Sequence, residues 1–233
     1  LTATSLFDGH DVAINIMRRL LQDSGAEVIH LGHNRSASEI VHAAIQEDVQ
    51  AIAVTSYQGG HVEFFKLIMD LLQEQGSRHI KVFGGGGGVI VPAEITRIEG
   101  FGVSKIFSPE DGRQMGLQGI INHILKASDV PLETAGIATR AQELSPSQNF
   151  LIGRYITAIE EAKVLSDSRL QALTEPLMKK ISRNIPILGI TGRAQGRGAS
   201  MVQQKVFVAF GIRQVFCRAW PCACLSRSVS LNP

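Results

Sequence analysis

Asp8-Gly9-His10-Asp11 sets a carboxylate two residues before an imidazole, directly after a short β-like run from Leu1 to Phe7. An aspartate that accepts one imidazole N–H fixes the tautomer and raises the basicity of the other ring nitrogen, as carboxylates behind metal-bound histidines do. The same residues also suit a plain polar turn, with Asp8 capping the next helix and His10 incidental. Taken alone, the tetrapeptide leaves both readings open. Its place does not depend on the choice. Val12, Ala13, Ile16, Met17, Leu20 and Leu21 follow at helical spacing over Asp11 to Asp23, so the imidazole sits where a strand hands over to a helix.

The elements that must position this loop repeat along the chain. Glu27 to Leu31 reads as a second strand, and Ser36 with Glu39 forms a capping box for a helix through Ile40, Ala43, Ala44 and Glu47. Ala51 to Ser56 is a third strand, apolar enough for burial on both faces, and Gly59-Gly60 opens a long helix. His79 to Phe83 is a fourth strand running into Gly84 to Gly88, and Pro92 suits the first turn of a short helix to about Glu99. Ser104 to Phe107 is a fifth strand, followed by a helix from Glu110 to Lys126. Alternating strands and helices predict an α/β fold: a doubly wound, flavodoxin-like or Rossmann-like, five-stranded parallel sheet, followed by a helical linker.

Such sheets bind ligands at the carboxyl ends of their strands. Three of those ends are rich in small residues: Asp8, Gly9 and His10; then Ser56, Tyr57, Gln58, Gly59 and Gly60; then Gly84 to Gly88. The fifth strand ends in Ser108, Pro109, Glu110 and Asp111. Glycine lets a ligand approach the backbone closely, so the run beside a second glycine pair implies a flat or bulky ligand. A nucleotide is the first candidate. However, no G-x-G-x-x-G follows the first strand, which argues against a pyrophosphate site.

Hydrophobic residues make up 44% and charged residues 19% of the 233, a globular balance with a formal net charge of +2. No apolar run suits a bilayer span, no secretory start is visible, and the charge points to neither nucleic acid nor membrane. The charge is unevenly divided. Residues 193–233 hold no Asp or Glu but six basic residues (Arg193, Arg197, Lys205, Arg213, Arg218 and Arg227), all three cysteines and the single Trp220. Removing those six from the 23 bases leaves 17 against 21 acids, a net of −4 for residues 1–192. Cys217, Cys222 and Cys224 fit no common zinc spacing, and no histidine follows to complete one. We read this tail as non-native, out-of-frame sequence, and the leading Leu1 as the mark of a fragment. A body without cysteine suits a reducing cytoplasm.

Asp8-Gly9-His10-Asp11, Ser56 downstream, and the glycine run leading into Val89-Ile90-Val91-Pro92 together resemble the cobalamin-binding domain of adenosylcobalamin-dependent acyl-CoA mutases. The likeness is closest to the amino-terminal part of the fused isobutyryl-CoA mutases and spans Leu1 to about Ser128. Two positions depart from the family pattern. Ala13 stands where the first motif usually ends in Gly, and Tyr57-Gln58 replaces the small-residue/Leu context after Ser56. The resemblance implies that His10 is the lower axial ligand of cobalt, displacing the cofactor's own base, and that Asp8 orients it. It further implies that Asp8, Gly9, His10, Asp11, Ser56, Gly59, Gly60, Gly85, Gly86, Gly87 and Gly88 bind adenosylcobalamin, with no catalytic side chain among them. His61 either contacts the corrin or opens a helix, while His30 and His33 read as surface loop.

The resemblance divides the chain into a cobalamin-binding domain (1–128), a helical linker (129–184), the first strand of a truncated P-loop GTPase domain (185–192) and the aberrant tail (193–233). The linker carries helix patterns over Phe150 to Val164 and Asp167 to Ser182. After Ile185 to Gly192, the phosphate-loop positions hold Arg197, Gly198 and Ala199 instead of Gly-Lys-Ser/Thr. The implied partners are the GTPase chaperone and substrate-binding barrel of a parent isomerase, a homo-oligomer when intact, with the fragment inactive alone. Two alternatives share the His10 arrangement: a stand-alone corrinoid carrier for methyl transfer and a cobalamin-dependent sensor. A response-regulator domain would need an Asp where Ser56 stands.

Overall fold

The computed structural model describes residues 1–130, 136–145, 147–165, 167–180, 203–208 and 216–221. Two compact units are present, one of residues 1–135 with 149–161 and one of 136–148 with 162–233. In the first unit, β1 (Thr2–Thr4) leads to α1 (Val12–Asp23) and α2 (Ala37–Gln46). There follow β2 (Ala51–Thr55), α3 (His61–Glu74), β3 (Lys81–Gly85), α4 (Pro92–Gly100), β4 (Lys105–Phe107) and α5 (Pro109–Ser128). The strands lie in the order β1-β2-β3-β4, all parallel, with Ala53 opposite Thr2 and Phe83, and Ile106 opposite Gly84.

The strand count corrects the sequence expectation of five: the described sheet has four. The segment expected as the second strand nonetheless runs along the free edge of β1. Thr2 N–H donates to Ile29 O (2.8 Å), Leu31 N–H to Thr2 O (2.9 Å) and Thr4 N–H to Gly32 O (3.0 Å). The segment forms only isolated parallel bridges, Thr2 with His30 and Ser5 with Arg35. β1 is three residues long, so it offers little ladder, and left-handed Gly32 (φ +83°) turns the chain away. With this segment counted, the spatial order in chain terms is second, first, third, fourth, fifth. That is the flavodoxin-like order, and its reversal beside β1 opens a crevice at the carboxyl edge of β1 and β2.

Side chains alternate across the sheet as a pleat requires. Ala3, Ile52, Val54 and Val82 join one core with Ile40, Phe65, Ile68, Leu72 and Ile98 from α2, α3 and α4. Phe83 turns the other way, into a second core with Leu21 of α1 and Ile120, Ile121 and Ile124 of α5. Each fully buried Ile, Leu or Phe side chain contributes about 1.5–3 kcal/mol relative to exposure. Local signals agree with these layers. Ser36 and Glu39 form the expected capping box on α2, and Ser108 and Asp111 form another on α5.

The first part of α6 (Asn149–Leu165) packs on this unit. Gly153 lies so close that an added Cβ would stand 2.9 Å from Gln46 O, leaving no room for a side chain. Buried Arg154 reaches Asp48 Oδ1 (3.1 Å) and His79 Nε2 (3.0 Å), and its guanidinium lies 5.3 Å from the Phe150 ring centre. Burial, then the Arg154 charge, pushes the His79 imidazole below its usual value, so it stays a neutral acceptor. The second unit contains a 3-10 turn (Ile137–Glu143), α7 (Asp167–Lys180) and an antiparallel hairpin of β5 (Gln203–Val208) and β6 (Phe216–Pro221). The expected phosphate-loop strand, 185–192, lies outside the described residues. Among the described residues no helix is long and apolar enough to cross a membrane.

One glycine of the run belongs to the core. A Cβ on Gly84 would stand 2.4 Å from Phe65 Cζ and 2.5 Å from Ile106 Cδ1, both in fully buried side chains. Gly84→Ala should destabilise the fold by about 1–3 kcal/mol, the usual cost of overpacking. Urea unfolding followed by circular dichroism measures it, and an unchanged midpoint would contradict this packing.

Candidate functional site

The crevice beside β1 and β2 is built around one carboxylate. Asp8 follows the end of β1 and its side chain is wholly buried. Its Oδ1 accepts from the His10 backbone N–H (2.9 Å) and from His10 Nδ1 (2.7 Å), and its Oδ2 accepts from the Tyr57 N–H (2.6 Å). Burial alone would raise the Asp8 carboxyl. The backbone N–H bonds from Tyr57 and His10, followed by the His10 ring, outweigh burial and hold it below the usual carboxylate value. Asp8 is therefore an anion with acceptors only, so the His10 nitrogen facing it must carry the hydrogen. Nε2 of neutral His10 then keeps its lone pair, on a side chain that is 67% exposed.

Asp8 does not cap α1. The N-cap of α1 is Asp11, with no side-chain capping bond. Asp11 turns instead to Asn15, whose Nδ2 donates to Asp11 O (2.9 Å) and Oδ2 (3.2 Å). The Tyr57 ring stands 5.7 Å from that of His10, tilted by 50°. Ser56 is buried, and the Ser5 hydroxyl donates to its Oγ (2.9 Å), leaving the Ser56 O–H as a donor. One layer back, the Thr4 and Thr55 hydroxyls pair at 3.0 Å.

The glycines expected in the site fall into different classes. Gly9, Gly59 and Gly88 each have open space where a Cβ would go. Gly60 does too, but its φ of +80° places it in the left-handed region as the residue before α3. Gly85 would make only an ordinary contact, 3.5 Å from Phe107 O. Gly86 is different, because its Cβ would stand 2.0 Å from Ser56 O. Its missing side chain lets β3 close on the end of β2. Gly87 combines a φ of +57° with the Tyr57 ring at 3.1 Å. The expected run of ligand-facing glycines thus divides between protein packing (Gly84, Gly86), backbone turning (Gly87), ordinary contact (Gly85) and open space (Gly88).

Several contributors went unrecognised in the sequence. Tyr57 acts through its backbone N–H, which any residue but proline supplies, so its side chain carried no signal. Ser5 lies within an apparently ordinary strand. His61 opens α3 and is buried, with Nδ1 3.1 Å from Gln58 O and Nε2 3.0 Å from Glu94 Oε2. Glu94 also accepts from the Val91 N–H (3.1 Å), so His61 ties the loop after β2 to the start of α4. His30 Nδ1 meets Thr2 Oγ1 at 2.9 Å in support of the sheet edge. Among the described residues no group of three or more His, Cys, Asp or Glu side chains could hold a metal ion by itself.

Residues 1–110 match the B12 binding domain family. The chain is 53% identical over 209 residues to a fused isobutyryl-CoA mutase of Geobacillus kaustophilus, covering 88% of this chain and 19% of that protein. It is 35% identical over 99 residues to the 2-hydroxyisobutanoyl-CoA mutase small subunit of Aquincola tertiaricarbonis, covering 42% of this chain and 71% of that subunit. A pivalyl-CoA mutase small subunit of Xanthobacter autotrophicus is 33% identical over 107 residues, covering 46% of this chain and 70% of that subunit. The chain therefore spans about a fifth of the fused mutases it matches.

A carboxylate held below its usual value contributes stability that is fully present above the unfolded value and is lost as pH falls through the folded one. Asp8→Asn removes that ionisation. Urea midpoints measured against pH should fall more steeply for the parent than for the variant between about pH 5 and pH 2. Parallel profiles would contradict an ionised, hydrogen-bonded Asp8.

Proposed function

The chain belongs to the B12 binding domain family, and from that premise we propose that it binds cobalamin, in its adenosyl form, as the cofactor module of an acyl-CoA mutase. The observation that carries this reading is the Asp8–His10 pair at the strand-order reversal, with Nδ1 held at 2.7 Å and the imidazole exposed. These residues fit the group. A neutral imidazole whose far nitrogen is tied to a buried anion is a strong, oriented donor that would suit a cobalt ion. Open space at Gly9, Gly59 and Gly88 lets a bulky group approach the same edge.

Cobalamin supplies homolytic cobalt–carbon chemistry, which in a mutase starts a radical carbon-skeleton rearrangement. The chain's own residues bind and orient. His10 would offer Nε2 to cobalt, with Asp8 keeping the hydrogen on Nδ1. Backbone N–H groups of Tyr57 and His10 keep Asp8 ionised away from water. Ser56, with its O–H free to donate, Gly85 and the open glycines Gly59 and Gly88 would line the place for the displaced nucleotide tail. Gly60, Gly86 and Gly87 shape that lining from behind. Asp11 supports the first turn of α1 through Asn15 rather than touching His10.

In the whole protein, a substrate-binding barrel and a GTPase chaperone domain would complete the enzyme, the assembly would be a homo-oligomer, and the cytoplasm would be its compartment. This chain alone would bind cofactor without turnover. The relatives are mutases, which disfavours the stand-alone methyl carrier or sensor.

With adenosylcobalamin, the protein should give a base-off, His-on visible spectrum. His10→Ala should lose the His-on species, and an unchanged spectrum would overturn the ligand assignment. Asp8→Asn should weaken binding about 10–100-fold, the usual effect of losing a ligand's supporting carboxylate.

Two glycine variants separate slot from scaffold. Gly88→Val should weaken cobalamin binding by more than about 1 kcal/mol while leaving apo stability unchanged, whereas Gly86→Val should lower apo stability first. Titration beside thermal melts decides it. Equal behaviour of the two variants would contradict this division.

A further inference from the structure

Among the described residues three non-glycine residues take left-handed backbone conformations, and two of them, Phe7 (φ 63°) and Asn34 (φ 56°), meet at the base of the His10 loop. The Phe7 N–H donates to Asn34 Oδ1 (2.8 Å), and the Asn34 N–H donates to Asp8 O (3.2 Å). One asparagine thus holds two adjoining residues of the loop, Phe7 at its amide and Asp8 at its carbonyl. The next residue extends the hold, since the Arg35 N–H donates to Thr4 O (3.1 Å).

A left-handed conformation is costly for an aromatic residue and well tolerated by asparagine. Strain at Phe7 would be unremarkable if it bought burial, but the residue is 82% exposed. No core packing offsets it. What the turn does change is direction. It takes the chain out of β1 so that Asp8, the next residue, drops its carboxylate into the crevice beneath the Tyr57 N–H while His10 stays out at the edge. Strained backbone of this kind persists where its surroundings over-determine it, and such sites cluster at ligand clamps.

We propose that Asn34 is a positioning residue for the axial histidine: its side-chain oxygen and backbone N–H lock the left-handed turn at Phe7 that aims Asp8, and through Asp8 the His10 imidazole. This rests on the reading of His10 as the cobalt ligand. His33-Asn34-Arg35 then has a role that its histidine does not explain, and the segment beside β1 serves the site as well as the sheet. Asn34 touches neither cobalt nor corrin on this account, since its contacts are with the backbone of Phe7 and Asp8.

Three variants of the full chain test it with adenosylcobalamin. Asn34→Gly keeps the left-handed backbone within reach but loses the acceptor for Phe7. It should bind cobalamin about tenfold more weakly, the lower end for lost support behind a metal ligand, with a visibly reduced His-on fraction at saturation. Asn34→Asp keeps both the acceptor and the tolerance for this conformation, so it should restore the His-on spectrum. His10→Ala is the control. If it leaves the His-on spectrum intact, the ligand reading fails and this inference with it. If His10→Ala loses that spectrum while Asn34→Gly matches the parent, only the positioning role fails. A merely structural Asn34 would lower the apo melting temperature of Asn34→Gly with the saturated spectrum unchanged, which also overturns it. Should Asn34→Gly not fold, Asn34→Asp decides: a folded variant lacking the His-on species contradicts the proposal.

Discussion

The site depends on a buried charge. Asp8 has no contact with water, and an isolated carboxylate in that position would neutralise itself rather than remain ionised. It stays an anion because N–H groups from the next loop residue but one, from the imidazole and from the end of β2 all point at it. Each of those donors is delivered by a different structural device. The His10 amide comes from the local turn, the ring from the side chain two residues on, and the Tyr57 amide from the parallel pairing of β1 with β2. Losing the pairing would strand the charge, so the sheet register and the tautomer of His10 are one constraint.

The rest of the unit can be understood as what keeps those donors in place. Two cores, one on each face of the sheet, fix β2 against β1 and β3. Gly86 lets the loop after β3 close on Ser56 O, and Ser5 meets Ser56 one step before the Tyr57 amide that Asp8 needs. His61 and Glu94 tie the loop after β2 to α4 from the far side. Gly86 marks backbone meeting backbone, whereas Gly9, Gly59 and Gly88 face open space.

Much of this was legible in the sequence. The alternation of strand and helix patterns gave the layers, because burial on one or both faces imposes a period that composition alone reveals. Asp8 and His10 were legible as a pair because their chemistry resides in side chains. The Asp8–Tyr57 bond was not, because a backbone N–H is the same in every residue but proline. The second expected strand failed for a related reason: residues 27–31 have the right composition and do line β1, but ladder length is set by the partner, which has three residues to offer. Gly84 to Gly88 looked like one feature because identical residues hide different neighbours, which only the packing separates. Asn34 carried no signal in the sequence, since its importance lies in a contact with Phe7, 27 residues away.

The central claim is that His10 binds cobalt through a ring nitrogen, and electron paramagnetic resonance of the reduced, cob(II)alamin-loaded protein tests it most directly. A single axial nitrogen splits each cobalt hyperfine line into a triplet with nitrogen-14 and a doublet with nitrogen-15. Protein grown with nitrogen-15 histidine and loaded with ordinary cobalamin should show doublets, because the axial nitrogen then belongs to the protein. Persistent triplets would mean that the cofactor's own base remains on cobalt, and the account of Asp8 and His10 as an axial-ligand pair would be wrong.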